Sequence, residues 1–221
     1  ASPDATDTLA LAQKVEGFNV QRLAYGDAQA KESTVSFWHK HTKTGTHTVT
    51  ILRSGGFGWA SKQYTQSSTN TWEYATVTMP ANTANVPANS SAAALDIQFG
   101  ISVGSTYTGG SEAAWGSVNG NYFPGQVNNM DNTANNFEIT GVQWEVGSVA
   151  TDYAHEDIGV TIAKCQRYFW RIVNGTNHAI SAVASYNATS NWYGPLFFPV
   201  TMRAVPTLSV SDVAHFGIFN N

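Results

Sequence analysis

The residues of this chain best suited to chemistry are aromatic rings that stand among amides and carboxylates, a combination that binds sugars. An aromatic face can pack on the apolar side of a sugar ring, while amides and carboxylates hydrogen-bond the hydroxyl groups. An alternative stays open for the aromatics of a long loop: they anchor that loop to the domain or fill a subunit interface, where aromatics are enriched. The candidate glycan-binding residues are Trp59, Tyr64, Asp96, Gln98, Tyr107, Trp115, Tyr122 and Phe123.

Three histidines form a candidate zinc site. His39 and His41 lie on one side of a predicted strand because strand side chains alternate, and His47 follows just after a predicted turn. Imidazoles are common zinc ligands. The alternative is an exposed, solvated hairpin face, in keeping with the nearby Lys40 and Lys43.

A polar segment, residues 128–133, is a candidate calcium site. Asn129 and Asp131 offer the amide and carboxylate oxygens that calcium prefers. Their spacing does not match the twelve-residue calcium loop, so a plain polar turn is the alternative. No cofactor is predicted beyond this optional structural calcium.

The sequence predicts no enzyme. A general acid/base pair needs two carboxylates close together in a cleft, but the acidic residues here are scattered, and Glu138 and Glu145 are expected to be structural. The G-x-S-x-G and H-E-x-x-H motifs are missing from the sequence. Cys165 is the single cysteine, and we expect it to be a buried, apolar thiol.

Composition limits the classes of protein that remain. Of 221 residues, 42% are hydrophobic and only 12% are charged, against about 25% charged in typical chains. Polarity comes from Thr, Ser, Asn, Gln and Gly, which argues against long solvated helices. The net charge is −4 and no Lys/Arg cluster occurs, which excludes a nucleic-acid binder. No apolar run is long enough to span a membrane.

Alternation of apolar and polar residues predicts an antiparallel β sandwich. The predicted strands cover residues 31–40, 46–52, 59–66, 71–79, 95–103 and 137–146, and the first two are expected to form a hairpin. The tryptophans Trp38, Trp72 and Trp144 lie in strand motifs and are predicted to be core residues. Gly141 marks a shift of phase in the last strand and predicts a β-bulge.

The remaining segments complete the predicted organisation. Residues 104–136 show no period and are expected to be a long loop, a kind of segment that is usually functional. Residues 155–164 predict a short helix capped by Asp157. Further strands are predicted over 168–173, 179–186, 196–202 and 207–213. The domains are then a sandwich over 1–155, a helix or linker over 156–164, and a smaller, incomplete β module over 165–221.

Three ordered sets of motifs carry a family resemblance. The first set is Leu11-Ala-Gln-Lys-Val-Glu-Gly17, Thr34-Val-Ser-Phe-Trp38 and Thr71-Trp-Glu-Tyr74. The second is Phe137-Glu-Ile-Thr-Gly-Val-Gln-Trp-Glu-Val-Gly147, Ala150-Thr-Asp-Tyr153 and Cys165-Gln-Arg-Tyr-Phe169. The third is Phe198-Pro-Val-Thr-Met-Arg-Ala-Val-Pro-Thr207. Together they resemble the β-rich virion structural proteins of tailed bacteriophages, that is, tail fibre, capsid fibre and minor structural proteins.

The resemblance implies a jelly-roll sandwich similar to galactose- and carbohydrate-binding modules. It further implies a non-enzymatic virion protein that forms a homotrimer, contacts other virion proteins and touches host-surface carbohydrate. Alternatives are a capsid decoration or head fibre protein without a receptor role, and a carbohydrate-binding module of a secreted or spike enzyme. The sequence departs from the family at Trp144, Tyr153 and His39. It also lacks flanking strands that the family has, so we expect an interior slice of a longer polypeptide.

Overall fold

The computed structural model describes residues 2–54, 58–112, 115–116, 120–171, 185–187, 191–193 and 197–207. The chain divides into two compact units, residues 1–154 and 155–221. The predicted boundary lay after residue 155, next to this division. The two units are described separately.

The first unit is a sandwich of two antiparallel sheets, which confirms the predicted all-β fold. The four-stranded sheet has the order β1-β6-β3-β4, and the three-stranded sheet has the order β5-β2-β7. The strands are β1 (Thr8–Glu16), β2 (Ser33–His41), β3 (Gly45–Arg53), β4 (Trp59–Gln66), β5 (Glu73–Met79), β6 (Ala93–Val103) and β7 (Phe137–Val146). Short helices α1 (Gly17–Val20), followed by a 3₁₀ turn (Gln21–Leu23), and α2 (Ser105–Thr108) accompany them.

The prediction of a hairpin between residues 31–40 and 46–52, which correspond to β2 and β3, is wrong. Strand β2 pairs with β5 and β7, whereas β3 pairs with β4 and β6. The turn at 42–44 therefore carries the chain from one sheet to the other. Alternation and a glycine-containing turn are shared by hairpins and by such crossings, so local sequence does not separate them.

The inward faces of both sheets supply one core. Phe37 of β2 is fully buried and lies edge-to-face against Tyr64 of β4 and Phe99 of β6, with ring centroids 4.9 and 5.0 Å apart. Such aromatic pairs contribute roughly 0.5–1.5 kcal/mol beyond their buried area. Apolar residues at alternate positions complete this core: Val35, Val49, Ile51, Val77, Met79, Leu95 and Ile97.

Described residues of the long loop, 104–136, pack on the outer face of the four-stranded sheet. The hydroxyl of Thr48 donates to the carbonyl of Pro124 (2.8 Å), and its amide donates to Gln126 Oε1 (2.8 Å). A Cβ added at Gly100 would lie 2.9 Å from Phe123, so the loop touches the sheet closely there. The predicted loop contains only α2 as regular structure among its described residues.

The three histidines are buried, and the expectation of an exposed, solvated face is wrong. His39, His41 and His47 are each at most 1% exposed. The ring centroids of His39 and His41 are 5.3 Å apart, and those of His41 and His47 are 4.5 Å apart. His41 also stacks on Phe137 at 4.1 Å. These rings lie inward because His39 and His41 continue the inward alternation of Val35 and Phe37, and strand side chains repeat every second residue.

Burial keeps these imidazoles neutral. It lowers the pKa of His41 to about 3, with the neighbouring His47 and His39 lowering it further. It lowers the pKa of His47 to about 4, against the opposing effect of a hydrogen bond to the Lys43 carbonyl. Burial also lowers the pKa of His39, although its hydrogen bond to Gln66 acts in the opposite direction. A charged imidazole is therefore disfavoured at this end of the core.

The second unit contains α3 (Ile158–Gln166) and a hairpin of β8 (Ser185–Asn187) and β9 (Asn191–Tyr193). The helix begins three residues later than predicted, and Asp157 caps it as expected by accepting a hydrogen bond from the Gly159 amide. Cys165 is exposed, so the predicted buried thiol is wrong. Residues 168–171 are not a strand, because the amides of Tyr168 and Phe169 bond back to the Cys165 carbonyl at the end of the helix. Residues 197–202 are not a strand either.

The other predictions for the second unit fall partly or wholly outside the described residues. The predicted strand over 179–186 overlaps the described β8 only at residues 185–186. The end of the strand predicted over 168–173 and nearly all of that predicted over 207–213 lie beyond the description. These strands stay predictions.

Lowering the pH should begin to destabilise this protein at pH values above those at which its carboxylates take up protons. Unfolded histidines take up protons near pH 6.5, but folded His41 and His47 do so only near pH 3 to 4. Stability is therefore fully present above pH 6.5 and falls as pH is lowered through this window, by up to about 1.4 kcal/mol per pH unit for each histidine. Urea unfolding at pH 7, 6 and 5 measures the slope.

The matched variants are His41→Phe and His155→Gln. Phenylalanine can keep the stacking on Phe137 without titrating, so we expect a clearly shallower pH dependence, whatever its effect on stability at pH 7. His155 is exposed in the second unit, and its replacement should leave the slope unchanged. An unaltered slope in His41→Phe would contradict the assignment.

Candidate functional site

Among the described residues of the first unit, exposed aromatic side chains gather on the outer face of the three-stranded sheet. Strand pairing sets Trp38 of β2 directly opposite Tyr74 of β5, and the ring centroids lie 5.3 Å apart. Trp72 precedes β5 on the same face. These three side chains are 47%, 49% and 42% exposed, in the order Trp38, Tyr74 and Trp72. We call them the aromatic platform.

The prediction that Trp38 and Trp72 are core residues is wrong, and the alternation shows why. In β2 the positions of Val35 and Phe37 face the core, so Trp38 must face outward. The same alternation puts Trp72 and Tyr74 on one shared side, and that side is the outer one. Trp144, by contrast, is half-buried and packs against the core from β7.

A β-bulge in β7 shapes the surface beside the platform. The register opposite β2 slips between Ser36 and Trp38, where Ser36 pairs with Gln143 and Trp38 with Thr140. Gly141 lies in this slip with φ +58°, the left-handed conformation that glycine adopts without steric cost. The predicted bulge is confirmed.

The chain after β7 folds back across the outer face. We call residues 147–154 the return segment. Gln143 Oε1 accepts the Ala154 amide (2.8 Å), and Glu145 accepts both the amide and the hydroxyl of Thr151 (3.1 and 2.8 Å). These bonds, together with one from Gln143, lower the pKa of Glu145. Glu145 therefore has the structural role that the sequence predicted.

A groove lies between the return segment and β5. We call it the side groove; its volume is about 420 Å³ and it ends at Tyr74 of the platform. The Thr34 hydroxyl donates to the Gly147 carbonyl (2.7 Å), and the Thr78 hydroxyl donates to the Ser148 carbonyl (3.3 Å). The lining residues are Thr34, Tyr74, Thr76, Thr78, Ser148, Val149, Ala150, Thr151 and Asp152.

One cation lies at the other end of the platform. Lys40 Nζ lies 3.0 Å from a carboxylate oxygen of Glu138 and 5.3 Å from the centroid of the Trp72 ring. The ion pair compensates the positive charge, and the lysine holds the ring in place through a cation–π contact. The platform is thus bordered by a compensated ion pair at one end and by hydroxyl groups at the other.

The glycan-binding candidates from the sequence do not meet in one exposed surface. Tyr64 lies inside the core beside Phe37, and burial raises its pKa. Phe123 is buried under the loop, and Trp115 is half-buried, with its indole N–H donating to the Pro80 carbonyl (2.7 Å). A ring covered on both faces cannot stack on a sugar.

Three further aromatic candidates pack the long loop onto the four-stranded sheet. Tyr122 lies edge-to-face on the buried Trp59 at 5.5 Å and stacks on Tyr107 at 5.4 Å. Asp96 is 8% exposed, and burial raises its pKa against the opposing charge of Lys14. Gln98 is half-buried on the same strand. This packing favours the loop-anchoring alternative, which the sequence had left open.

The candidate metal ligands have other partners. Hydrogen bonds join His39 Nδ1 to Gln66, His41 Nε2 to Tyr64 and His47 Nε2 to the Lys43 carbonyl. Asp131 is paired with Lys43, whereas Asn129 is buried and donates to the Ile101 carbonyl (3.0 Å). Within the part of the chain that the structure describes, no three His, Cys, Asp or Glu side chains are arranged to hold a metal ion.

Comparison with protein-family models, with curated proteins and with solved structures found no match to this chain. Among the described helices, none has the length and apolar character that a membrane crossing requires. The function of the chain is therefore inferred from the geometry of the sandwich and from the motifs in its sequence.

Replacing Gly141 should weaken the bulge that supports this face. An alanine at this position would have to adopt the left-handed backbone conformation, which costs a residue with a Cβ about 1–2 kcal/mol relative to glycine. Its Cβ would also lie 3.7 Å from Trp38 and 3.9 Å from Tyr153, an ordinary contact, so strain rather than collision is the expected cause. Urea unfolding of Gly141→Ala measures the loss. The control, Thr140→Ala at the neighbouring exposed position, should change stability by less than about 0.5 kcal/mol; equal losses would contradict a special role for the glycine.

Proposed function

We propose that this chain is a non-enzymatic binding module whose outer face on the three-stranded sheet contacts glycans on a host surface. The observation that carries the proposal is the aromatic platform, which places exposed rings at the mouth of a hydroxyl-lined groove. Exposed aromatics in a contiguous group on a soluble domain mark binding sites more often than chance exposure does. Aromatic rings for stacking and polar groups for hydroxyls are the two components that a sugar requires.

In the proposed mode of binding, the aromatic platform and the side groove contact different parts of the sugar. The rings of Trp38 and Tyr74 stack on the apolar side of a sugar, which removes apolar area from water at about 25 cal/mol per Å². The side groove supplies hydrogen-bonding groups at the edge of the same sugar. The ordered pairing of β2 with β5 holds both parts in place before the ligand arrives, which limits the entropy lost on binding.

The biological setting is proposed from the resemblance to tailed-phage virion proteins. In that setting the module belongs to a fibre or surface appendage of the virion, assembles as a homotrimer and touches other virion proteins. Part of the second motif set lies beside the proposed site, because residues 137–147 form the bulged strand and residues 150–153 belong to the return segment that borders the side groove. The alternatives are a decoration protein without a receptor role and a carbohydrate-binding module of a glycan-degrading enzyme.

Removing a platform ring should weaken glycan binding without unfolding the sandwich. We expect Trp38→Ala and Tyr74→Ala each to lower affinity for the best ligand of a glycan array by about tenfold or more, equivalent to roughly 1.4 kcal/mol. Titration calorimetry gives the affinities, and thermal unfolding confirms the fold. The control is Phe18→Ala, an exposed aromatic outside this face, which should bind normally.

The same experiment separates the alternatives. If the assembled protein binds no glycan on the array, the receptor proposal is wrong and a purely structural role takes its place. If binding persists in both platform variants but is lost on replacing Tyr107 or Tyr122, the glycan site lies on the long loop instead. Release of oligosaccharide from host polymer would show an enzyme.

A further inference from the structure

We infer that the side groove accepts the N-acyl group of a neutral amino sugar whose ring stacks on the aromatic platform. The inference rests on the proposed function and adds to it the class of sugar. Four features of the groove support it: its position, the direction of its hydrogen bonds, its apolar lining and its charge.

The side groove adjoins the aromatic platform. Tyr74 belongs both to the platform and to the wall of the side groove, so a sugar stacked on that ring has one edge directed into the groove. The volume of about 420 Å³ lies at the low end of the range for ligand pockets and exceeds what a hydroxyl substituent needs. A larger substituent on the sugar is therefore expected at this edge.

The hydrogen bonds determine which polar group fits. The hydroxyls of Thr34 and Thr78 already donate to the carbonyls of Gly147 and Ser148. A hydroxyl has one hydrogen to donate, so each can offer only lone pairs to a ligand. The carboxylate of Asp152 is likewise an acceptor. Thr34 and Thr78 also lie within 3.3 Å of each other through their hydroxyl oxygens. The part of the groove beside these two threonines therefore offers acceptors and suits a ligand that brings an N–H donor there.

The apolar lining favours a ligand with a methyl carbon next to that donor. Val149 and Ala150 line the groove together with four threonines, and Val149 is 74% exposed. An N-acyl group combines an N–H donor with a methyl carbon beyond it. Burying that methyl between Val149 and the threonines removes apolar area from water on both sides.

Charge excludes the acidic sugars. Asp152 places a negative charge in the groove, and the whole chain has a net charge of −4. Lys40, on the same outer face, is paired with Glu138 and cannot compensate a ligand carboxylate without losing that partner. A uronic or sialic acid at this position would bring a second negative charge close to that of the exposed Asp152.

Matched oligosaccharides test the inference on the full chain. We expect chitotetraose, which carries N-acetyl groups, to bind at least about tenfold more tightly than cellotetraose, which has the same linkage and no acyl group. Chitosan tetramer has free amines and separates the acyl group from the nitrogen. At alkaline pH, where these amines are uncharged and Asp152 does not attract them, it should bind more weakly than chitotetraose. Calorimetry gives each affinity.

Two variants locate the preference in the groove. Thr78→Val keeps the shape but removes the acceptor, so the ratio of the affinities for chitotetraose and cellotetraose should fall several-fold. Thr140→Val, on the exposed strand position opposite Trp38, is the matched control and should keep the full preference. Asp152→Asn should improve binding of a uronic-acid oligomer relative to the unaltered protein.

The outcomes distinguish this inference from the proposed function. Loss of all binding in Trp38→Ala together with equal affinities for chitotetraose and cellotetraose would support the platform and overturn the N-acyl assignment. A preference that survives Thr78→Val unchanged would also overturn it. If none of the three neutral or amino tetrasaccharides binds and the wider array is also silent, the proposed function itself fails.

Discussion

Strand β2 is the constraint on which the rest of the sandwich depends. It is paired along its length with β5 on one side and β7 on the other, so its register sets the position of every residue in the three-stranded sheet. Its inward side chains meet the opposite sheet through Phe37, and its outward side chains begin the aromatic platform. Because alternate residues of one strand serve both purposes, a shift of β2 by a single residue would exchange the core and the binding face.

Much of the fold could be predicted because alternation is a local signal. The observed bounds of β4 and β7 coincide with the predicted ones, and Gly141 was recognised as a bulge from a change of phase within its own strand. Pairing between strands could not be predicted in the same way. The turn after β2 has the composition of a hairpin turn, and only the packing of two sheets decides that the chain crosses between them.

The site was harder to predict than the fold, for a physical reason. Alternation shows which residues share a side of a strand, but it identifies the inward side only where the other side is polar. In β2 one side carries Phe37 and histidines, and the other carries Trp38. Large aromatics suit either environment, and the imidazoles proved to be buried. The hydrogen bonds that Gln143 and Glu145 accept from the return segment join residues that local patterns treat as separate.

The covered face of the four-stranded sheet has a further consequence. Its long loop occupies one broad side of the sandwich, so the module is one-sided in what it can offer to a ligand. A single shallow site of this kind gives modest affinity, and useful strength then comes from repetition. If copies present their bare faces toward the same surface, effective concentration can raise total avidity by about 10²–10⁴ without any new contact. The orientation of copies would then matter as much as the chemistry of each face.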